Sequence, residues 1–204
     1  MIRFAGGATQ EQGESEEEEA GELDLSADGP VAKRILGEIA GLLPLPEEYF
    51  VVGDTTDGRG RGLFVAKPIA AETYLFDYVD DASAIIDQAE FERRYDSPTG
   101  THADYAVGVM LPDGVQVYLD AQDPSSSKHA RYMNHAEDEP RRNCECWTLT
   151  PPMVGEVRAL LFASRDLAVG EEMCWDYGDE YWRGRDDKVQ EARRPWWKPA
   201  WWAA

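Results

Sequence analysis

The stretch His129–Trp147, HARYMNHAEDEPRRNCECW, decides how the rest of this chain is read. It sets Arg131, Tyr132, Met133, Asn134 and His135 ahead of a sharply polar turn and leaves Cys144 and Cys146 behind it. A second dense run, GEEMCWDYGDEYW, fills Gly170–Trp182. If folding brings the two together, an amide, an imidazole and a tyrosine hydroxyl share one site. Working outward from them asks what that site would hold.

The bulk properties narrow the answer. A chain of 204 residues suits one domain with a real core, or a domain and a tail. With 18 Gly and 12 Pro, many short elements and turns are expected. There is no run of about 18 apolar residues, so no membrane span is expected. The opening MIRFAGG has no long apolar region and turns acidic at once, which argues against secretion. Cys144, Cys146 and Cys174 are few and odd in number, a pattern of reduced thiols rather than of a disulfide framework. Forty acidic residues against 20 basic ones give a formal net charge of −20. Such a surface repels phosphate backbones, so sequence-specific nucleic-acid binding is not expected, and it attracts basic peptides. Surface acid also serves solubility alone, and charge does not separate the two readings.

Residues 1–30 carry EQGESEEEEAGELDLSADGP and read as an acidic, solvated, disordered tail. Residues 31–47 form a lead-in: Val31, Ile35 and Ile39 lie four apart, as on a short helix, and GLLPLPEEY then ends it with two prolines. From Tyr49 short β-like runs alternate with turns. YFVVGD, LFVAKPI and ETYLFDYVD are strand candidates, with the glycine-rich TTDGRGRG between the first two. SAIIDQAEFERRY, residues 83–95, has a helical stripe, and ADYAVGVMLPDGVQVYLDA reads as a hairpin around Pro112-Asp113-Gly114. The pattern is that of a β-rich α+β domain. The last 22 residues, 183–204, include Trp196, Trp197, Trp201 and Trp202, an aromatic area expected to pack back onto the domain.

Three segments occur in a telling order: RGRGLFVAKPIAAETYLFDY (Arg59–Tyr78), LDA…ARYMNHA…NCECW (Leu119–Trp147) and ALLFASRDLAVGEEMCWDYGDEYW (Ala159–Trp182). Together they resemble the SET-domain protein lysine methyltransferases over roughly residues 48–182. ERRYDSPTG and RRPWW resemble the branch that monomethylates histone H4 and acts on nucleosomes. The resemblance implies a SET-type fold of short strands with a small helical insert and a knot-like C-terminal crossing. It implies S-adenosyl-L-methionine as cofactor, a histone tail, other basic protein or nucleosome as partner, and residence in the nucleus; a monomer is the simpler assumption. EARRPWWK is too thin a basic cluster to be a localisation signal.

Residue by residue, the resemblance assigns Gly60 and Gly62, with Arg59 and Arg61, to the turn whose backbone approaches the cofactor. Glycine permits that approach, although a glycine-rich turn between strands occurs for other reasons too. No Gly-Lys-Ser/Thr follows, and Pro68 interrupts the helix that a dinucleotide fingerprint needs. Asn134 and His135 match the Asn-His pair beneath the cofactor, and Arg131 is placed to brace the loop or meet the cofactor's carboxylate. Trp197 joins this set from the tail. Tyr177, in Asp-Tyr-Gly, is the leading catalytic residue and also joins the cofactor-binding set, with Tyr95 and Tyr105 as further candidates for the catalytic lysine channel. Tyr78 carries less weight, because strand tyrosines are common. Asp120 is assigned a turn or fold-support role.

Two departures from the family pattern matter. Trp175 stands two before Tyr177, where relatives have Phe or Tyr and where the number of methyls is set. A larger ring there implies monomethylation, or a blocked channel with little activity. Ala136 replaces a zinc-ligating cysteine, and no cysteine follows Arg183, so that zinc site is absent and no metal is expected. The tail is then the candidate to close the channel, and no reader module fits before residue 48. Two alternatives accompany the enzyme reading: a catalytically weak SET-fold module binding a basic protein, or a methyltransferase for a non-histone protein.

Overall fold

The structure is a computed structural model and describes residues 41–95, 103–136, 138, 140–151 and 156–182. The acidic tail, the helix expected before Gly41 and the tryptophan-rich segment with Trp197 lie outside the described residues. In chain order the strands are β1 (Phe50–Asp54), β2 (Arg61–Val65), β3 (Tyr74–Asp77), β4 (Ile85–Asp87) and β5 (Ala106–Met110). They continue as β6 (Gln116–Asp120), β7 (Asn134–His135), β8 (Cys144–Leu149), β9 (Arg158–Ala163) and β10 (Cys174–Trp175). The helices are α1 (Gln88–Tyr95) and the single turn α2 (Asp179–Trp182).

Strands β1 and β2 form an antiparallel pair, β3-β9-β8 and β4-β6-β5 are three-stranded antiparallel sheets, and β7 pairs with β10 in parallel. The result is the β-rich α+β architecture expected of a SET-type fold. Strand β9 lies between two partners, and its apolar run Ala159-Leu160-Leu161 is fully buried. Leu63, Leu75, Leu119 and Met173 join Leu161 in one core.

The expected hairpin is present. Leu111 and Val115 share its closing backbone bond, and Gly114 takes the left-handed φ of +83° that the turn requires. The helix expected over 83–95 is shorter. Asp81 caps a 3₁₀ turn at Ala82–Ala84, and Ile85 and Ile86 enter β4 opposite Leu119 and Tyr118. Two adjacent β-branched residues gain more from cross-strand packing than from a helix. Helix α1 starts only after Asp87, whose carboxylate accepts the Glu90 N–H at 2.8 Å.

The crossing is built around β10. Trp175 O accepts from Ala136 N at 3.0 Å, and Cys174 O accepts from Asn143 N at 3.0 Å. The buried Asn143 side chain accepts from Cys174 N and donates to Glu172 O, both at 2.8 Å. The late segment is thus held between β7 and the start of β8, where the resemblance places the knot-like crossing. No described helix is long and apolar enough to cross a membrane.

Candidate active site

Two cavities meet beside β10. The larger, about 1040 Å³, is walled by β5, by Phe91 and Tyr118, and by Tyr78, Trp175 and Tyr177. The smaller, about 460 Å³, lies between the turn Gly58–Arg61, the Arg131–His135 segment and Trp182. Asp104, Tyr177 and Tyr181 line both.

Tyr177 is fixed at two points. Its hydroxyl donates to Met133 O at 2.6 Å, and its backbone N–H donates to His135 Nδ1 at 3.1 Å. Burial, reinforced by the neighbouring Tyr78 and Tyr181, holds the phenol well above its usual pKa. It is therefore a neutral donor near pH 7 and not a base. The same bond makes His135 Nδ1 an acceptor and ties the imidazole to the backbone of β10's exit. Trp175 is buried, with its ring 5.3 Å from Tyr177 and 6.1 Å from Tyr78. It thereby walls the larger cavity beside Tyr177.

On the smaller side, Gly60 has φ +90°, a conformation that side chains rarely adopt. Gly62 faces Glu172 across β2, where an added Cβ would lie 2.9 Å from the carboxylate. Arg59 donates to Asp57 and to Glu172, each at 2.7 Å, and Asn134 Nδ2 donates to Glu172 at 2.8 Å. Arg61 lies over the Tyr132 ring at 5.2 Å. The guanidinium of Arg131 sits 4.6 Å from the Tyr105 ring and 5.4 Å from that of Tyr132. Its Nε and Nη1 are buried without acceptors among the described residues. A cation so placed suits a ligand that brings a carboxylate, and the cavity suits the zwitterionic, nucleoside-bearing cofactor that the sequence implies.

The structure brings Tyr177, Trp175, Asn134, His135, Arg59, Gly60, Arg61, Arg131 and Tyr105 to one or other cavity. Tyr105 lies on the smaller side, beneath Arg131, and not on the larger wall. Gly62 sits behind the turn. Tyr95 lines neither cavity: its hydroxyl donates to Asp120 at 2.8 Å. The buried Asp120 also accepts from Arg94 at 2.8 Å and from Gln122 N at 2.9 Å, a fold-support role tying α1 to β6. Tyr78 carries more than a strand position suggests, being buried in the larger wall against Trp175. Asp104, Tyr181, Trp182, Glu172 and Asn143 were not among the residues singled out from sequence. Tyr181 reaches the site from the single turn α2, with its ring 4.6 Å from that of Tyr177, and no periodicity links the two because Gly178 between them has φ +79°. Burial raises the thiols of Cys146 and Cys174 to about 12. Among the described residues no group of three or more His, Cys, Asp or Glu converges to hold a metal.

Residues 60–178, more than half of the chain, match the SET domain family, and the chain belongs to it. Among similar proteins is the N-lysine methyltransferase KMT5A-A of Danio rerio, 30% identical over 125 residues, covering 60% of this chain and 33% of that protein. The histone-lysine N-methyltransferase ash1 of Drosophila melanogaster is 29% identical over 134 residues, 64% of this chain and 5% of that one. A solved structure of ctPRC2 in an autoinhibited conformation bound to S-adenosylmethionine is similar with a TM-score of 0.53 at 25% identity, covering 72% of this chain and 17% of that one. The chain thus spans a third or less of the length of these relatives.

Proposed function

We propose that this chain is an S-adenosylmethionine-dependent protein-lysine N-methyltransferase that acts on a histone and adds one methyl group. The observation that carries the reading is the meeting of two differently lined cavities at Tyr177, whose hydroxyl is anchored on Met133 O. Arg59, Arg61 and Arg131 line the smaller, Asp179 lines the larger with no Lys or Arg among its described lining residues, and Asp104 lines both. That division suits a carboxylate-bearing cofactor on one side and a basic peptide on the other. When bound, the cofactor supplies a methyl on a sulfonium sulfur, open to in-line displacement.

Arg131 would hold the cofactor's carboxylate, and the backbone of the Gly58–Arg61 turn and the Asn134-His135 strand would line its nucleoside. On the other side Tyr78, Trp175 and Tyr177 would surround the substrate's lysine stem. A free lysine amine has a pKa of about 10.4, and removal from water favours its neutral form. The amine's proton would leave to solvent, and its nitrogen lone pair would form the new N–C bond as the sulfonium's S–C bond breaks, the sulfur keeping that electron pair and leaving as a neutral thioether. Tyr177 keeps its own proton throughout, and its hydroxyl dipole and the Met133 carbonyl align the amine. Trp175 leaves space for the unmethylated amine and crowds a second methyl. Nuclear residence accords with a histone substrate and with relatives described as histone-lysine methyltransferases.

Purified protein incubated with labelled S-adenosylmethionine and core histones or nucleosomes tests this, with products read by intact mass. One histone should take up label and stop at a single methyl. Tyr177→Phe should lower transfer by roughly 10²-fold or more while cofactor affinity stays within a few-fold. Cofactor binding without transfer to any histone would reject the substrate. If Trp175 blocks the channel, the chain is instead a weak SET-fold module binding basic protein, and Trp175→Phe would then raise transfer.

A further inference from the structure

Glu172 takes no part in the chemistry above, yet the walls of the smaller cavity are joined at its carboxylate. The segment around it runs alongside β2: Val65 N donates to Glu171 O at 2.9 Å, and Met173 N donates to Leu63 O at 2.8 Å. This alternation turns Glu172 towards Gly62, whose missing side chain makes the room. One carboxylate oxygen accepts from Asn134 Nδ2 at 2.8 Å, and the other accepts from Arg59 Nη2 at 2.7 Å. Arg59 continues the chain of bonds to Asp57 at 2.7 Å and to the His135 carbonyl at 3.3 Å. Arg141 closes it from the other side, 3.2 Å from Asp57 and 3.8 Å from Glu172.

Arg59 and Asn134 therefore direct donors at the protein. We propose that Glu172 is the positioning residue of the cofactor side. It clamps the glycine-rich turn to β7, so that the turn's backbone and Arg131 face the ligand at a fixed separation. This rests on reading the smaller cavity as the cofactor's. The two-oxygen geometry is essential, because a carboxylate accepts from both arms at once. A carboxamide has one acceptor oxygen and turns an NH₂ towards the other donor, releasing one arm.

S-Adenosylhomocysteine binding, measured by calorimetry, tests the clamp without any peptide substrate. Glu172→Gln should weaken binding by on the order of tenfold, the loss of one charge-assisted bond expressed through the turn. Glu171→Gln is the matched control. Its carboxylate pairs with Arg165 and accepts from Ala168 N at 2.9 Å, away from both cavities. That variant should lose melting temperature yet bind within twofold of wild type. Should Glu172→Gln not fold, Glu172→Asp keeps the charge, is shorter by one methylene and reaches one arm, so it should also bind more weakly. Unchanged affinity in the folded Glu172 variant, or an equal loss in Glu171→Gln, overturns the proposal. A wild-type chain that takes up no S-adenosylhomocysteine overturns the cofactor reading itself, and this one with it.

Discussion

Gly60 and His129 show how two single positions carry different kinds of constraint. Gly60 takes φ +90°, and beyond its chain neighbours no atom of the described residues lies within 4 Å of where a Cβ would sit, so the penalty for a side chain there is conformational. Gly60→Ala should cost about 1–2 kcal/mol in a denaturant titration, without a clash to relieve. His129 lies with its ring 4.9 Å from Phe50 and 5.3 Å from Phe76. Burial lowers its pKa, outweighing the Asp80 and Glu47 carboxylates that raise it, while Lys128 lowers it further. The unfolded chain, at about 6.5, then binds the proton more readily than the folded one. His129 accordingly favours the fold fully above about pH 6.5, and this contribution is lost as pH falls towards the folded value. His129→Phe should flatten melting temperature between about pH 5 and 7 relative to wild type. At this scale the sequence was readable where a motif fixed a place, as with Tyr177, which lines both cavities. It was not readable where direction mattered: Tyr95 belongs to Asp120, and nothing in the pair Glu171-Glu172 says which carboxylate faces the turn. Only the pairing register along β2 decides that.

Among elements, the stitch between β8 and β10 has the largest leverage for its size. Asn143 is buried, and its side chain satisfies one donor and one acceptor of the neighbouring segment. Asn143→Ala would strand both, at a cost of about 2–4 kcal/mol in chemical denaturation. Faster hydrogen exchange at the Cys174 amide would locate the loss. Element types were legible wherever a local device set them, such as the Pro112-Asp113-Gly114 turn. The 83–95 segment misled because its apolar spacing suits a helix, whereas Ile85 and Ile86 answer to Leu119 and Tyr118 across the sheet. Two-residue strands such as β7 and β10 leave no periodic trace at all. Their existence was implied by the family resemblance alone.

Over the whole molecule, a formal charge of −20 stores self-repulsion that salt relieves. Melting temperature should rise as NaCl goes from about 20 to 300 mM, while affinity for a basic histone peptide falls over the same range. A flat affinity would show that the charge has no part in recruiting the partner. The parallel seam of Asn134-His135 with Cys174-Trp175 also has a temporal meaning. Tyr177 is oriented by atoms of Met133 and His135, more than 40 residues earlier, so the nascent chain has no competent centre while residues 174–177 remain in the ribosome. Pairings this distant close late in folding. On the proposed function, a chain stopped before residue 174 lacks the oriented Tyr177 and should be inert rather than promiscuous.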